Sequence, residues 1–318
     1  NEQHVVKRTL PVISQKHGGE IKVTENVKFY IFDCDNVKYY FSKHTATFEK
    51  IEKDSKNYLS DKNFLFYNPY AAMNSFVPNI YRYKMDNDMF TEAKWREHGF
   101  DMMWNRVLSY NVEKVGCDYK ITVDSLFSPP KRSKEFTNKF VYTIFSNGDL
   151  GVDCTLIKEN ENLPYLPRYG FLLNPNENLF DKVEWEGFGP NENYCDYKEA
   201  AMVGVYSKDI KDMFYEYVSP QENGERCGVS HLSLFGKNGE KLSVYAKGDF
   251  FSFKVNDFIG KDLQSVRHIT DLKRGETLEL AIDGYFSGVG SNSCGPDLPE
   301  DKRVTDKVLQ FGVCLRFE

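Results

Sequence analysis

Two turn-dense stretches carry the residues best suited to chemistry. The first is Glu184-Trp185-Glu186-Gly187-Phe188-Gly189-Pro190-Asn191-Glu192-Asn193-Tyr194-Cys195-Asp196. The second is Ser219-Pro220-Gln221-Glu222-Asn223-Gly224-Glu225-Arg226-Cys227-Gly228. Cleavage of a glycosidic bond needs two carboxyls at a set separation. One protonates the leaving oxygen, and the other attacks or activates water. Glu192 or Glu222 is the candidate for one half of such a pair. The simpler alternative is that each carboxylate accepts backbone N–H bonds in a buried turn.

Other constellations are weaker. Arg82-Tyr83-Lys84-Met85-Asp86-Asn87-Asp88 is an acidic knot that suits a cation or a sugar hydroxyl, but Asp and Asn also fix tight turns through their own backbone. His44, His98, His231 and His268 are scattered, and none sits in an HExxH or Gly-x-Ser-x-Gly context. Gly288-Val289-Gly290 lacks the strand-helix setting of a dinucleotide site. The polar run Gly290-Ser291-Asn292-Ser293-Cys294-Gly295-Pro296 reads as an exposed loop able to reach a partner surface. Seven cysteines show no CxxC or zinc spacing, so no metal site is expected, and their loose pattern reads as reduced thiols in a cytoplasmic protein.

The elements that must position these residues are strands. The chain has 318 residues, 41% hydrophobic and 28% charged, with 25 Phe and 20 Tyr. Aromatics at this level suit pleated, half-buried surfaces. A net charge of −6 with interspersed signs argues against a nucleic-acid partner. No run approaches the ~20 apolar residues of a membrane span. Alternating apolar runs begin at Ile21 and recur to the C-terminus, with Asp35-Asn36 and Ser146-Asn147-Gly148-Asp149 as hairpin turns. Residues 53–91, with Asn63, Asn68, Pro69, Asn74 and Pro78, read as a long loop packed over something. Glu92-Ala93-Lys94-Trp95-Arg96-Glu97-His98-Gly99 is the strongest helix, and a second short one is expected near 208–215. Fifteen or more short strands and one or two small helices predict an all-β domain of two packed sheets. Residues 1–19 read as a linker or the tail of a preceding domain, and 20–318 as one β domain. The start at Asn1 suggests a piece of a longer protein.

Taken in order, six motifs resemble the C-terminal domain (small-subunit-like, domain 5) of the glycoside hydrolase family 2 β-galactosidases. They are Arg82 with Asp86-Asn87-Asp88; Trp95 and Gly99; Pro167-Arg168-Tyr169-Gly170; Gly187-x-Gly189-Pro190-x-Glu192-Asn193-Tyr194-x-Asp196; Pro220-x-Glu222-Asn223-Gly224-x-Arg226; and Gly288-Val289-Gly290 leading to Cys294-Gly295-Pro296. Thr9-Leu10-Pro11-Val12 resembles the connector from the domain before it.

The resemblance implies a β-supersandwich of the galactose-mutarotase-like type. It implies that the catalytic glutamates lie on a separate TIM-barrel domain or large subunit. This fragment alone would then be inactive, its role being to complete the cleft for lactose-like β-galactosides and to support assembly of an oligomeric parent. Ser291, Asn292 and Cys294 are the expected substrate contacts. Many members carry Trp where Cys294 stands, and a thiol offers no π face. Asp88 runs almost directly into the helix, so no mobile gate is expected there. Arg82, Asp86, Asp88, Arg168, Glu192, Asn193, Glu222, Asn223 and Arg226 are expected to shape loops or a sugar groove. No cofactor is expected in this domain, with magnesium and sodium assigned, if needed, to the parent enzyme. The competing expectations are an autonomous aldose mutarotase-like enzyme using Glu222 with His231 or His268, a carbohydrate-binding module, and a purely structural assembly module.

Overall fold

Between Phe136 and Ile144 every second side chain is buried and those between are half exposed, as in a strand with one face on a core. The computed structural model describes residues 10, 18–34, 36–62, 75–130 and 134–318. The expectations that rest on residues 1–9, 11–17, Asp35, Asn63, Asn68, Pro69 and Asn74 lie outside the described residues.

The described chain opens with β1 (Lys22–Glu25), β2 (Phe29–Cys34), β3 (Val37–Ser42), β4 (Phe48–Lys53) and β5 (Lys56–Asn57), an antiparallel meander in sequence order. After β6 (Val77–Asn79) comes α1 (Glu92–Glu97). Then follow β7 (Trp104–Val115), β8 (Asp118–Ser128), β9 (Phe136–Ile144), β10 (Leu150–Lys158), β11 (Arg168–Leu173), β12 (Phe180–Gly189) and β13 (Met202–Asp209). The remaining strands are β14 (Arg226–Val229), β15 (His231–Gly236), β16 (Lys241–Lys247), β17 (Phe251–Asn256), β18 (Glu279–Phe286) and β19 (Val308–Phe317).

A nine-stranded sheet runs β13-β12-β15-β16-β19-β10-β9-β8-β7, and a second five-stranded sheet runs β14-β17-β18-β11-β6. Both five-stranded sheets pack against the nine-stranded one. Phe48 of the meander meets Tyr142 of β9 at 5.1 Å between ring centroids. Trp185 of β12 meets Phe253 of β17 at 5.7 Å. Phe76 bridges the two smaller sheets, with ring centroids 5.9 Å from Phe48 and 5.3 Å from Phe171. The layer opposite the large sheet is thus split in two, where the sequence suggested one sheet. Each fully buried Phe or Trp stabilises the sandwich by roughly 1.5–3 kcal/mol.

The first helix matches its sequence. Trp95 is buried beneath it and donates Nε1–H to the Tyr165 carbonyl at 2.9 Å, and Gly99 follows at φ +74, a conformation suited to Gly. The helix expected at 208–215 does not form. Lys208 and Asp209 complete β13, paired with Val183 and Lys182, and Ile210–Asp212 is a single 3-10 turn. Pairing with β12 satisfies the backbone there, and Ile210, Met213 and Phe214 are all buried, which overrides a weak local propensity. The Asn147-Gly148 turn does join β9 to β10, with Gly148 at φ +86 and the Phe145 N–H bonded to the Asp149 carbonyl.

Candidate functional site

The β14-β17-β18-β11-β6 sheet gathers a buried charge cluster. Arg168 on β11 donates Nε–H to Asp283 Oδ1 of β18 at 3.0 Å and a second bond from Nη2 to Oδ2. Its Nη1 reaches Glu222 Oε1 at 2.7 Å, and its Nη2 lies 3.4 Å from Glu225 Oε2. Lys254 of β17 meets Glu222 Oε1 at 2.7 Å. Glu222 Oε2 accepts the Tyr83 N–H at 2.5 Å, and the Glu222 N–H donates to the Lys84 carbonyl. Glu279 of β18 accepts the Gly260 N–H at 3.1 Å. All of these charged side chains are buried.

Four carboxylates therefore face two cations, and their ionisation splits accordingly. Burial alone would raise the Glu222 carboxyl, but Lys254 and Arg168 overcome it and hold the group below the usual carboxylate range. Burial pushes Glu225 up to about 8, against the attraction of Arg168 and with Asp283 adding repulsion. Burial likewise takes Glu279 to about 7, opposed by Lys254 and the Gly260 N–H. Glu225 Oε1 has no hydrogen-bond partner among the described residues. Asp283 holds Arg168 in the bidentate geometry of strong pairs, and burial raises its carboxyl too, against the attraction of Arg168.

A second buried pair anchors the late loop. Arg82 Nε and Nη2 bind Asp88 Oδ2 and Oδ1 at 2.5 and 2.6 Å. The remaining donors of Arg82 hold the Ser287 and Gly288 carbonyls, each at 3.0 Å. Asn87 Nδ2 donates to the Gly290 carbonyl at 2.8 Å, and the Ser293 hydroxyl donates to Asn87 Oδ1 at 2.7 Å. Asp196 accepts the Val289 and Gly290 N–H groups at 3.0 and 2.7 Å. The acidic knot is thus a loop clamp. Asp86 is exposed and pairs with Gln221 through side chain and backbone.

The two turn-dense stretches pack on each other. Arg226 lies over the Trp185 ring at 5.5 Å. Asn193 Oδ1 accepts the Cys227 N–H at 2.9 Å. Glu192 Oε2 accepts the Gly224 N–H at 2.8 Å and the Tyr194 hydroxyl at 3.2 Å, and its Oε1 accepts the Tyr217 hydroxyl. Asn223 bonds the Tyr215 N–H and carbonyl, each at 2.8 Å.

These clamps frame a cleft of about 840 Å³. Glu192, Tyr194, Asp196, Tyr197, Tyr217 and Ser291 are among its lining. Asn292 and Cys294 are not; Asn292 is half-buried and Cys294 exposed on the same loop. Tyrosine rings with polar side chains between them are the usual furniture of a ligand cleft. Each of Glu192, Asp196 and Glu222 already accepts hydrogen bonds from the protein, so none stands as an unengaged acid or base. His231 sits 3.6 Å from Glu186 and stacks on Tyr245, while His268 caps the turn Ile269–Asp271. Neither lines the cleft. Among the described residues no group of three or more His, Cys, Asp or Glu is placed to hold a metal ion.

Of the expected groove residues, Arg168 and Glu222 share the buried cluster, Arg82 and Asp88 form the loop clamp, Glu192, Asn193 and Arg226 tie the two stretches together, and Asn223 pins the backbone of Tyr215. Asp283, Lys254, Glu225 and Glu279 were not foreseen. A signal existed, since Lys254 and Asp283 each interrupt an apolar strand run, Phe251-Ser252-Phe253-Lys254-Val255 and Leu280-Ala281-Ile282-Asp283. Charges at such positions demand buried partners.

The chain matches the family described as Beta galactosidase small chain over residues 33–315. The β-galactosidase of Actinobacillus pleuropneumoniae is 32% identical over 242 residues, which is 76% of this chain and 23% of that protein. That of Kluyveromyces lactis is 33% identical over 244 residues, 75% of this chain and 23% of that protein. The chain thus spans about a quarter of the length of the curated relatives it matches. Among solved structures, galactose 1-epimerase from Lactobacillus acidophilus is similar with a TM-score of 0.50 at 10% identity, covering 94% of this chain and 98% of that one. At that identity the likeness concerns the fold, which is the all-β, galactose-mutarotase-like supersandwich. With 33–315 matched end to end, the chain belongs to the β-galactosidase small-chain family.

Proposed function

We propose that this chain is the accessory domain of a cytoplasmic β-galactosidase, walling the galactoside cleft of a catalytic TIM barrel carried elsewhere in the parent protein or on a large subunit. The observation that carries this reading is the coverage: the small-chain family spans the chain, while the chain spans about a quarter of its β-galactosidase relatives. The use of Glu192, Asp196 and Glu222 as acceptors that hold backbone N–H groups of neighbouring loops supports it. Ser291, Asn292 and Cys294 contact the sugar or its neighbour on the barrel. The buried clusters hold that loop in shape at no catalytic cost. Assembly of an oligomeric parent, and any magnesium or sodium requirement, belong to the whole enzyme.

The test is direct. The purified chain turns over no chromogenic β-galactoside, whereas the full-length parent does. In the parent, Ser291→Ala with Asn292→Ala raises KM for the galactoside more than it lowers kcat. Hydrolysis by the purified chain alone would overturn the reading. Accelerated mutarotation of galactose in a polarimeter would replace it with the epimerase alternative.

A further inference from the structure

A smaller pocket of about 210 Å³ shares Glu192 and Tyr217 with the cleft and is lined by two cations, Lys208 and Arg226. Arg226 is 2% exposed. Its Nη1 donates to the Met213 and Gly224 carbonyls at 3.2 and 2.5 Å, and its Nη2 to the Pro190 carbonyl at 3.4 Å. Its face rests on Trp185. These partners are neutral, and among the described residues the Arg226 Nε–H has no acceptor.

Lys208, at the end of β13, makes no ion pair within 4 Å among the described residues. Burial first, and then the charge of Arg226, lowers the affinity of its amine for a proton. Two acids line the same pocket. Glu192 has both oxygens engaged by Tyr194, Tyr217 and the Gly224 N–H. Asp212 is exposed on the 3-10 turn and attracts Lys208 only in part. Glu192 and Glu225 attract Arg226 without overcoming the cost of its burial, so two neighbouring cations, neither in an ion pair among the described residues, face one pocket with their charge only partly offset, which is costly.

We propose that this pocket binds a small oxyanion of the phosphate or sulfate class, seated on the Lys208 ammonium with the Arg226 guanidinium behind it. Charge-assisted bonds to such an oxygen are the strong kind, and the hydroxyls of Tyr197 and Tyr215 beside the pocket can donate to it as well.

The experiment is calorimetric titration of the full-length protein with inorganic phosphate, with sulfate and with a hexose phosphate, at fixed ionic strength against a chloride control. Saturable binding is expected, weakened about tenfold in Lys208→Gln, as for loss of one charge-assisted bond. Lys208 is half-buried at a strand end, so this variant leaves the Arg226 packing in place. A preference for the hexose ester over the free ions assigns the anion to a sugar phosphate, and the reverse assigns it to the free ion. Absence of binding beyond the chloride control, or equal affinity in Lys208→Gln, overturns the proposal.

Discussion

Gly170 and Asp283 are cross-strand partners on β11 and β18, and their backbones approach so closely that a Cβ on Gly170 would collide with the Asp283 carboxylate and the Ile282 carbonyl. The glycine of Pro167-Arg168-Tyr169-Gly170 therefore makes room for the acid that holds the arginine two residues before it. Gly170→Ala should cost about 1–3 kcal/mol by overpacking and displace Asp283 from Arg168. Urea unfolding gives the first number, and a crystal structure of the variant shows the second. A variant as stable as the parent would mean the strands separate freely, contrary to this packing.

Breaking the pair from the other side costs more. Arg168→Met leaves Asp283 and Glu222 without their shared guanidinium, and removing one partner of a buried pair costs about 3–5 kcal/mol. Adding Asp283→Leu should restore part of the loss. The coupling in that double-mutant cycle is expected to exceed about 0.5 kcal/mol.

Stability should fall on both sides of a mildly acidic optimum. Glu225 and Glu279, at about 8 and about 7 in the folded chain against 4.5 for a free carboxyl, keep protons that the unfolded chain releases. The unfolded state then binds fewer protons, so stability declines as pH rises from about 4.5 through about 8. Glu222 works oppositely. Its lowered value stabilises the fold above 4.5, and that contribution is lost as pH falls through the folded value. Urea midpoints from pH 4 to pH 9 trace the curve, and Glu279→Gln should flatten its alkaline limb. An unchanged limb in that variant would assign the decline to other groups.

Asn87 clips the late loop through the Gly290 carbonyl and the Ser293 hydroxyl. Asn87→Ala removes two part-exposed hydrogen bonds, about 1 kcal/mol each at most, far from the main core. Its larger effect should be kinetic: in the parent enzyme KM for a galactoside rises while the melting temperature moves by only a few degrees. A fall in kcat with unchanged KM would place the loop outside substrate binding.

The thiols should separate into classes. Cys117 and Cys294 are exposed, whereas Cys34, Cys154 and Cys314 are buried. Burial takes the Cys227 and Cys314 thiols to about 12, which leaves little thiolate to react. A thiol reagent on the native protein should modify Cys117 and Cys294 first. In a Cys117→Ser background, blocking Cys294 should raise the parent's KM; no change would remove Cys294 from the proposed sugar contacts.

Much of the fold was legible because its signals are local. Alternation from Phe136 to Ile144, the Asn147-Gly148 turn and the Trp95 helix each depend on a few neighbouring residues. The segment at 208–215 misled for the opposite reason: its helix formers lost to pairing with β12, a partner some 25 residues away in the chain. The two carboxylates Glu192 and Glu222 were legible as important but not as to role. Nothing in either stretch reveals that Gly224 and two tyrosines occupy the first, or that Arg168 and Lys254 occupy the second.

The sequence by itself determined the strand-rich class, the identity of the motif residues and the family they resemble, since residue type and order suffice for those. Tertiary structure alone decided which charges meet. Arg168, Glu222, Lys254 and Asp283 come from four separate segments, and their partnership exists because β11, β17 and β18 lie side by side in one sheet. It also decided that Arg226 would rest on Trp185 with only backbone carbonyls as hydrogen-bond partners among the described residues. Pairing of buried charges depends on distance and desolvation in three dimensions, and neither quantity is written in spacing along the chain.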